Sequence, residues 1–423
     1  MTVLARKYAC ELLSEILQHK RPFDEAISRH EFLSELAPRD RNFTRLMVLT
    51  TLRRLGQIDA IAAKFLQKPL QGKSQTVMNC LRLGICQLIW LETPPHAAVN
   101  ETVEVLAGFG HDNMKGLLNA VLKKVAKEGK AIVATQDEGK INLPAWLYDS
   151  WQATYGTQTA DAIAKERLKM PPLDVSVKSD PEGWANKLGG VLLASGSIRI
   201  EDAGKVDDLP GYEQGEWWVQ DAASALPILS LGDIKDKVVF DLCAAPGGKT
   251  AALVNLGGDV FAVDKSKRRL QILDSNLERL NLHAELIEGD ILKLKPEFKA
   301  DIILLDAPCS ATGTLRRHPE LVWQRKQEDV AELAELQKKL LNKVSHWLKP
   351  QGKILYCTCS LQKEEGELQI EKFLENHQDF KLLPMQNIPK EFISEQGYLR
   401  TTPAMLAEQG GIDGFFAALM QKI

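Results

Sequence analysis

From about residue 235 onward, the sequence alternates β-type apolar runs with helical segments, and this alternation limits the available folds more than any other feature. The strand-like runs are KVVFDLC, DVFAVD, AELIEGD, ADIILLDAPC and KILYCTCS, and segments such as TAALVNLG and EDVAELAELQKKLLNKVSHWL are helical. Strands that alternate with helices predict a parallel, doubly wound sheet. We therefore predict an α/β, Rossmann-like doubly wound domain over residues 226–423, with ligands outside the carboxyl ends of its strands.

The two regions before this domain differ from it in composition and periodicity. Residues 1–135 carry apolar residues at three- and four-residue spacing, as in ARKYACELLSEILQ, which predicts helices with short connections. The segment MKGLLNAVLKKVAK is expected to be the last of these helices. Residues 136–225 contain more Pro and Gly and short β-type runs such as GVLLASGSIRIED. We predict an all-α domain over residues 1–135 and a small α+β linker module over residues 136–225.

Charge is distributed unevenly along the 423 residues. The first 145 residues hold 20 Lys and Arg against 15 Asp and Glu, whereas the remainder holds 33 against 41. A mildly basic part beside an acidic part is consistent with nucleic acid as a partner of the basic part, although a solvated helical surface produces the same balance.

Hydropathy and cysteine usage bear on the compartment. No apolar run approaches the ~18 residues that a membrane span requires, and the segment MTVLARKYACELL has no signal-peptide cleavage pattern. We therefore expect a cytoplasmic, monomeric protein with no membrane partner. In that compartment the seven cysteines are expected to be free thiols. Cys10, Cys80 and Cys86 lie in apolar helical segments, and we predict that they are core residues.

Chemically active side chains stand at the ends of the predicted strands. They are Asp241, Asp264, Asp290, Asp306, Cys309 and Cys359. Asp264 follows Asp241 by 23 residues, close to the ~20-residue offset at which an acidic residue meets ribose hydroxyls. Asp290 ends the third strand, where it can bind an exocyclic amine. Each carboxylate alone is equally compatible with a helix N-cap, but three at successive strand ends favour a nucleoside site.

The first strand runs into the glycine-rich turn DLCAAPGGKT. Gly247 and Gly248 allow a sharp turn and a close approach of the backbone to a ligand. The end of this turn is similar to a P-loop, but Cys243 stands where that motif requires its first glycine, and G-x-G-x-x-G is absent. We therefore predict a turn for a nucleoside ligand with a small charged group near Lys249 and the helix N-terminus.

Two cysteine-containing segments share one pattern, in which an apolar run is followed by Cys and then Ser. DAPCS ends at Ser310, and YCTCS ends at Ser360. Such cysteines can hold a metal, form a disulfide, fill a core or react as thiols. A metal site and a redox dithiol are disfavoured because Cys357 and Cys359 form C-x-C, no C-x-x-C exists, and no His residues cluster near them. The two side chains share a face of the strand, and we predict that the deeper Cys357 is a core residue.

The three motifs DLCAAPGGKT, DAPCSATGTLRRHPEL and YCTCSLQKEE resemble those of the RNA cytosine-5 methyltransferase family. The N-terminal segments PRDRNFTRLMVLTTLRRLGQIDAIAAKFL and PPHAAVNETVEVL resemble the NusB-like RNA-binding domain of the bacterial RsmB type, and WVQDAAS and DGFF fit as well. The resemblance covers nearly the whole chain. It implies S-adenosylmethionine (SAM) as methyl donor, no metal, and a cytosine of 16S rRNA as target, usually cytosine 967. The RNA partner is expected to be 16S rRNA before the 30S subunit is fully assembled.

The resemblance also assigns roles to residues by motif position. The donor-binding positions that it implies are Cys243, Ala244, Ala245, Pro246, Gly247, Gly248, Lys249, Asp264, Asp290 and Asp306. It implies that Cys359 is the nucleophile and that Cys309 is the second, releasing thiol. Where relatives usually carry an Arg before Pro-Pro and a later Arg and Asn, this chain has Met170, Ser176 and Lys178, which leaves RNA contact by the middle module open.

The implied chemistry explains why thiols are needed. Carbon 5 of cytosine is too weak a nucleophile to take a methyl group directly, so a thiolate first adds at carbon 6. A free Cys has a pKa of about 8.5, and a nearby positive charge favours its thiolate. We expect Asp306 to hold N3 of the base, and Cys309 to assist loss of the carbon-5 proton and elimination of the thioether. The base must reach this pocket unstacked.

Basic residues outside the strand-end motifs are the candidates for contact with RNA phosphates. They are Arg316, Arg317 and His318 after the second cysteine, and Arg39, Arg41, Arg45, Arg53 and Arg54 around one helix start. The alternative for the first group is a solvated loop, and the alternative for the second is a surface that docks onto the catalytic domain. Two other functions remain open, namely the same chemistry on transfer RNA and an RNA-binding ribosome-assembly factor with a silent catalytic half.

Overall fold

The computed structural model describes residues 2–30, 35–70 and 72–423. The chain forms two compact units, which we call the helical unit and the sheet unit. The helical unit comprises Met1–Lys169 with Leu315–Arg325, and the sheet unit comprises Met170–Thr314 with Lys326–Ile423. Within the residues described, no helix combines the length and the apolar character needed to span a membrane.

The helices and strands of the described residues have the following bounds. The α-helices are α1 (Val3–Leu17), α2 (Phe23–Arg29), α3 (Pro38–Arg53), α4 (Leu55–Phe65), α5 (Gln75–Ile89), α6 (Pro95–Gly108), α7 (Lys115–Val133), α8 (Glu138–Ile141), α9 (Ala145–Glu166), α10 (Pro181–Leu188), α11 (Ala222–Leu229), α12 (Gly248–Asn255), α13 (Lys267–Arg279), α14 (Leu321–Gln324), α15 (Gln327–Ser345) and α16 (Glu367–Asn376). The strands are β1 (Leu173–Val177), β2 (Val191–Leu192), β3 (Ile198–Ile200), β4 (Trp217–Val219), β5 (Val238–Leu242), β6 (Asp259–Asp264), β7 (Glu285–Glu288), β8 (Ala300–Asp306), β9 (Leu348–Thr358), β10 (Phe380–Leu383), β11 (Leu399–Thr401) and β12 (Phe415–Lys422). Short 3-10 helices lie at Gly72–Ser74, Asp112–Met114, Val206–Asp208, Lys363–Glu365, Lys390–Phe392 and Ala407–Gln409.

The helical unit packs α1–α7 around one apolar core. The apolar spacing of these segments places their stripes inward, which is the usual origin of such a core. Cys10, Cys80 and Cys86 are fully buried in it, which confirms that they are core thiols. The sulfurs of Cys10 and Cys80 lie 3.5 Å apart, and both thiols are free.

The helical unit extends beyond the last helix that the sequence predicts. After α7 the chain continues through α8 and the long helix α9, which ends at Glu166. Gly156, with φ +79°, interrupts α9, so its apolar residues do not form one continuous helical stripe. The four strands of the predicted middle module belong to the sheet unit instead.

The large sheet of the sheet unit confirms the predicted doubly wound core. Its strand order is β10-β12-β9-β8-β5-β6-β7, and β11 pairs with β12 at one side. The pairs β9–β8, β8–β5, β5–β6 and β6–β7 are parallel. The strands β10, β11 and β12 pair antiparallel, which the sequence pattern did not predict. The sheet is therefore mixed, with its parallel strands continuous from β7 to β9.

Two apolar layers cover the faces of this sheet. Helices α11, α12 and α13 pack on one face, where Leu304, Leu355 and Cys357 point. Helices α15 and α16 pack on the other face, where Leu305 and Tyr356 point. Neighbouring residues of one strand thus enter opposite layers, as the pleat requires. Cys357 is fully buried, which confirms its predicted place in the core.

A small antiparallel sheet with the order β2-β3-β1-β4 precedes the large one. Arg199 on β3 and Asp174 on β1 form a buried two-pronged ion pair, with both nitrogen–oxygen distances 2.7 Å. Arg199 also donates to the carbonyls of Gln409 and Gly411, and Asp174 accepts from the backbone N–H of Ala222. These contacts join the small sheet to α11 and to a distant loop, so it is an integral part of the sheet unit.

Candidate active site

Parallel pairing brings the ends of β5, β6, β8 and β9 to one edge of the large sheet. Leu242 pairs with Leu305, and Asp306 pairs with Cys357. Because parallel strands end on the same side, the predicted strand-end groups of these four strands lie at this edge. The edge is therefore the candidate active site.

The turn between β5 and α12 needs glycine at Gly247. This residue has φ +104°, and a Cβ added there would lie 2.8 Å from Cγ of Leu273. Both the left-handed backbone and the close side chain exclude larger residues without strain. At Gly248, by contrast, an added Cβ would meet only Gln220 at 3.6 Å. The turn is thus held in a fixed shape by α13 behind it.

Lys249 faces the end of β8. Its Nζ lies 2.9 Å from Oδ2 of Asp306 and 4.9 Å from the ring centre of Phe415. Burial lowers the pKa of Lys249, but the Asp306 carboxylate and the nearby thiols of Cys357 and Cys359 raise it by more, so the pKa lies above its usual value. Lys249 therefore carries a buried positive charge beside the two cysteine-bearing strand ends.

Asp241 is a further buried group, predicted at a strand end as one of the three carboxylates that favour a nucleoside site. Its Oδ2 accepts a 2.6 Å hydrogen bond from Oγ1 of Thr250. Its Oδ1 has no hydrogen-bond partner among the described residues. Burial raises the pKa of Asp241 to about 7. The strand-end position was the available signal for this residue.

Two of the predicted carboxylates border one cavity of about 250 Å³. Asp264 is buried and accepts hydrogen bonds from the backbone N–H groups of Ala245 (3.3 Å) and Ser266 (2.9 Å). Asp290 is exposed, and its carboxylate accepts from the N–H of Leu292 at 3.0 Å. The other residues around the cavity are Cys243, Lys265, Arg269, Gly289, Ile291, Pro308, Leu336 and Leu340. Carboxylates beside apolar walls suit a nucleoside.

The residues of the predicted donor-binding turn lie in different surroundings. Cys243 borders the cavity with Asp264 and Asp290, and burial raises the pKa of its thiol to about 12, so it is a neutral wall. Pro246, Gly247 and Gly248 border a separate cavity of about 300 Å³. The remaining residues of the turn, Ala244 and Ala245, are buried. The structure thus brings together only part of the predicted donor set.

The two predicted catalytic cysteines are neighbours. The sulfurs of Cys309 and Cys359 lie 3.4 Å apart, and both residues are partly exposed. The hydrogen bond with Cys359, followed by burial, raises the pKa of Cys309 well above its usual value. The carbonyl of Cys359 accepts from the N–H of Gly313 at 2.9 Å, which fixes the two loops against each other.

The closing segment of the chain completes the edge. The N–H of Gly414 donates to the carbonyl of Gly313 at 2.8 Å, and an added Cβ on Gly313 would lie 1.9 Å from the carbonyl oxygen of Gly414. The close contact between the backbones of Gly313 and Gly414 places Phe415 beside the ammonium of Lys249. The sequence analysis missed Phe415 as a site residue, although the DGFF motif was its signal. Glu365, a fully buried carboxylate behind both cysteine loops, was missed as well.

The structure corrects part of the predicted RNA surface. Arg316 and Arg53 are buried, and Nη2 of Arg53 donates to the carbonyl of Arg316 at 2.8 Å. Burial lowers the pKa of Arg53 to about 10. RNA contact was expected after the second cysteine, with a solvated loop as the alternative, but Trp323 in this segment donates its indole N–H to the carbonyl of Leu52 at 2.8 Å. Arg53 and Arg316 are therefore structural parts of the helical unit rather than phosphate contacts.

The other basic candidates remain accessible to different degrees. Arg39 and Arg45 are exposed, whereas Arg41, Arg54, Arg317 and His318 are partly exposed. Arg54 forms an ion pair with Glu138 at 2.5 Å. Of the residues at which the middle module departs from the family pattern, Met170 is 64% exposed, while Ser176 donates to Gln220 and Lys178 to the carbonyl of Leu280. The described residues contain no cluster of His, Cys, Asp and Glu that could hold a metal ion.

Two family profiles match this chain, each over a different part of it. The family described as 16S rRNA methyltransferase RsmB/F matches residues 228–421. The NusB family matches residues 4–127. The strand-end motifs all lie in the first match, and helices α1–α6 lie in the second.

Similar proteins include two that cover nearly the whole chain and one that covers about two thirds of it. Ribosomal RNA small subunit methyltransferase B of Salmonella arizonae is 32% identical over 99% of this chain and 98% of its own length. The solved structure of the protein PH0851 covers 100% of this chain and 99% of its own, with a TM-score of 0.79 and 23% identity. A methyltransferase homolog protein from Pyrococcus horikoshii covers 66% of this chain and 100% of its own, with a TM-score of 0.55 and 26% identity.

Proposed function

Because the chain belongs to the RsmB/F family of SAM-dependent 16S rRNA methyltransferases, we propose that it methylates a cytosine at carbon 5 through a covalent adduct with Cys359. The observation that carries this proposal is the pair of sulfurs of Cys309 and Cys359, 3.4 Å apart beside the Lys249–Asp306 ion pair. The proposed target is the family's usual position, cytosine 967 of 16S rRNA.

The cavity bounded by Cys243, Asp264 and Asp290 fits the nucleoside part of SAM. Its apolar walls can enclose a base, and its two carboxylates can accept hydrogen bonds from ribose hydroxyls and an exocyclic amine. SAM supplies, when bound, an electrophilic methyl group. Because the cavity includes Pro308, the donor site adjoins the loop that carries Cys309.

The two thiols have different proposed roles. The hydrogen bond with Cys359, followed by burial, raises the pKa of Cys309 above its usual value. By its motif position Cys359 is the nucleophile that adds to carbon 6, forming a carbon–sulfur bond that makes carbon 5 nucleophilic. After methyl transfer, the carbon-5 proton leaves and the carbon–sulfur bond breaks to release Cys359. Cys309, in contact with the sulfur that departs, assists this release.

Lys249 and Asp306 lie where they can act on both the sulfur of Cys359 and the cytosine base. The Lys249 ammonium is a fixed positive charge near the sulfur of Cys359. Asp306 holds that ammonium and keeps a 34% exposed side chain, so its carboxylate can meet N3 of the base. A preorganised charge pair of this kind stabilises charge that develops in the ring.

The experiment that tests the proposal compares single cysteine variants on 16S rRNA transcripts. With Cys359→Ala we expect no methyl transfer, because the covalent step is lost. With Cys309→Ala we expect turnover to fall by about 10²- to 10⁴-fold and an RNA–protein adduct to accumulate on a denaturing gel. Bisulfite sequencing of the RNA locates the modified cytosine.

A matched variant, Cys357→Ala, removes a buried thiol from the same strand and is expected to retain methyl transfer. Unchanged methylation by Cys359→Ala would refute the nucleophile assignment. Absence of a slow-migrating adduct with Cys309→Ala would refute the releasing role. Methylation of transfer RNA instead of 16S rRNA would refute the target class.

A further inference from the structure

Each of the two catalytic cysteines is followed by a serine, and the two serines meet behind the sulfurs. Ser310 and Ser360 are fully buried, and their Oγ atoms lie 3.2 Å apart. Oγ1 of Thr312, which is also buried, lies 3.3 Å from Oγ of Ser360. The repeated Cys-Ser pattern therefore places one polar side chain per loop in a shared buried position.

Glu365 is the common acceptor of these serines. Its Oε1 accepts from the backbone N–H of Ser310 at 2.8 Å and from Nε2 of Gln337 at 3.0 Å. Its Oε2 accepts from Oγ of Ser360 at 2.5 Å and from Oγ of Ser310. Four donors thus converge on one buried carboxylate, and such hydrogen bonds to a carboxylate are short and strong.

The backbone around Glu365 is fixed independently of its carboxylate. Its carbonyl accepts from the hydroxyl of Tyr356 at 2.9 Å and from Oγ1 of Thr358 at 3.3 Å, both on β9. Gln337, on α15, donates also to the carbonyl of Pro308 at 2.8 Å. Glu365 is consequently anchored to the sheet on one side and tied to both cysteine loops on the other.

We propose that Glu365 is a positioning residue that sets the distance between the sulfurs of Cys309 and Cys359 through Ser310 and Ser360. This inference rests on the proposed roles of the two thiols in methyl transfer. The hydrogen bonds of the Glu365 carboxylate go to Ser310, Ser360 and Gln337 and to neither sulfur, so Glu365 acts on the thiols through these neighbours. It accounts for serine after each cysteine, since a hydroxyl can donate to a shared carboxylate and an apolar side chain cannot.

Glu365→Gln keeps the shape of the side chain and removes one of its two acceptor oxygens. The amide oxygen can take over the bonds of only one carboxylate oxygen, and the amide N–H₂ then faces the donors that the other oxygen had accepted. We expect kcat for methyl transfer to fall by about 100-fold, because displacement of a reacting group by about 1 Å costs that much. The dissociation constant for SAM is expected to stay unchanged, since the donor cavity does not include Glu365.

A second readout does not depend on methyl transfer. Diamide oxidises two nearby thiols, which lose two electrons and two protons as a sulfur–sulfur bond forms and the diazene of diamide becomes a hydrazine. Peptide mass mapping then measures how fast Cys309 and Cys359 become linked. With their sulfurs 3.4 Å apart, the wild type should link them readily, and Glu365→Gln should link them at least about tenfold more slowly.

The neighbouring Glu364→Gln is the matched control, because Glu364 is exposed on the same 3-10 helix. It is expected to keep wild-type kcat and linking rate. Ser310→Ala and Ser360→Ala each remove one tether and leave Glu365 in place, so they test the proposal even if Glu365→Gln does not fold. Each should lower kcat and the linking rate, and adding either serine change to Glu365→Gln should cause little further loss.

The outcomes separate the positioning role from the proposed function. Slower linking together with lower kcat supports the inference. Slower linking in a protein whose Cys359→Ala variant still methylates RNA supports the positioning role while refuting the nucleophile. Unchanged linking and unchanged kcat in Glu365→Gln and both serine variants would overturn the inference. Lower thermal stability with wild-type linking and kcat in the serine variants would also overturn it, because the role would then be structural only.

Discussion

The carboxyl group of Asp241 is carried into a fully buried position at the end of β5, and burial raises its pKa from 3.8 to about 7. The folded state therefore binds this proton more tightly than the unfolded state. The protonated Asp241 therefore stabilises the folded state fully below about pH 4, and this stabilisation is lost as the pH rises through about 7.

We expect Asp241→Asn to remove this pH dependence, because the amide cannot ionise. Relative to the wild type, the variant should gain unfolding free energy between about pH 5 and about pH 8, by at most about 3 kcal/mol. Urea unfolding at both pH values measures the gain. Asp259→Asn, exposed at the start of β6, is the control and should leave the wild-type difference unchanged. Equal pH dependence in Asp241→Asn and wild type would contradict the expectation.

The burial of some single residues could be predicted from the sequence, and that of others could not. The strand that carries YCTCS could be predicted from its apolar run, and position along it, rather than periodicity, separated the buried Cys357 from Cys359 at the carboxyl end. Glu365 and Arg316 could not, because each lies in a charged run that reads as solvated surface. Their burial depends on distant partners: Glu365 meets Ser310 across 55 residues, and Arg316 meets Arg53 across 263.

At the scale of elements, the turn between β5 and α12 depends on α13 as much as on its own residues. Leu273 of α13 lies where a Cβ on Gly247 would be. A substitution in this turn therefore affects both the backbone of the turn and its packing against α13. The turn also positions Lys249 beside Asp306, so its conformation affects the surroundings of the thiols.

Gly247→Ala is expected to destabilise the sheet unit by about 1–3 kcal/mol, because alanine is strained at φ +104° and its Cβ collides with Leu273. It should also weaken SAM binding, measured by isothermal titration calorimetry, and lower methyl transfer. Gly248→Ala is the matched change one residue later, where the added Cβ has ordinary contacts, and it should cost less than about 1 kcal/mol. Equal losses for both variants would refute the steric argument.

Elements with a strong local period were predictable and those fixed by distant pairing were not. The parallel strands alternate with helices, so their order along the chain indicates the fold class. The antiparallel placement of β12 beside β9 depends on long-range pairing such as Phe416 with Thr358, which no local pattern contains. The helix α9 escaped notice because Gly156 breaks its periodicity.

At the scale of the whole molecule, the helical unit is assembled from two separated pieces of chain. The segment Leu315–Arg325 belongs to it, although the catalytic motif containing Cys309 ends only a few residues earlier. Gln324 in this segment donates to the carbonyls of Ile16 and Arg21, and Trp323 packs against the helical core. Charge asymmetry indicated two parts, but the sequence offered no sign of this return, because contact across 300 residues leaves no local pattern.

Trp323→Ala is expected to lower the unfolding free energy of the helical unit by about 2–3 kcal/mol, since it removes an aromatic ring and the hydrogen bond to Leu52. Circular dichroism during urea unfolding measures the loss. Leu117→Ala, 37% exposed on α7, is the control in the same unit and should change stability by no more than about 0.5 kcal/mol. A loss no larger for Trp323→Ala than for the control would show that the segment does not stabilise the unit.

The return of Leu315–Arg325 into the helical unit restricts how genes of this family can recombine. A single crossover near codon 170 would join the helices of one parent to a returning segment inherited from the other. Residues such as Arg53 and Trp323, which meet in one unit, would then come from different lineages. Functional chimaeras are expected to require two further crossovers flanking codons 315–325, so that the helices and the strip that completes them are inherited together.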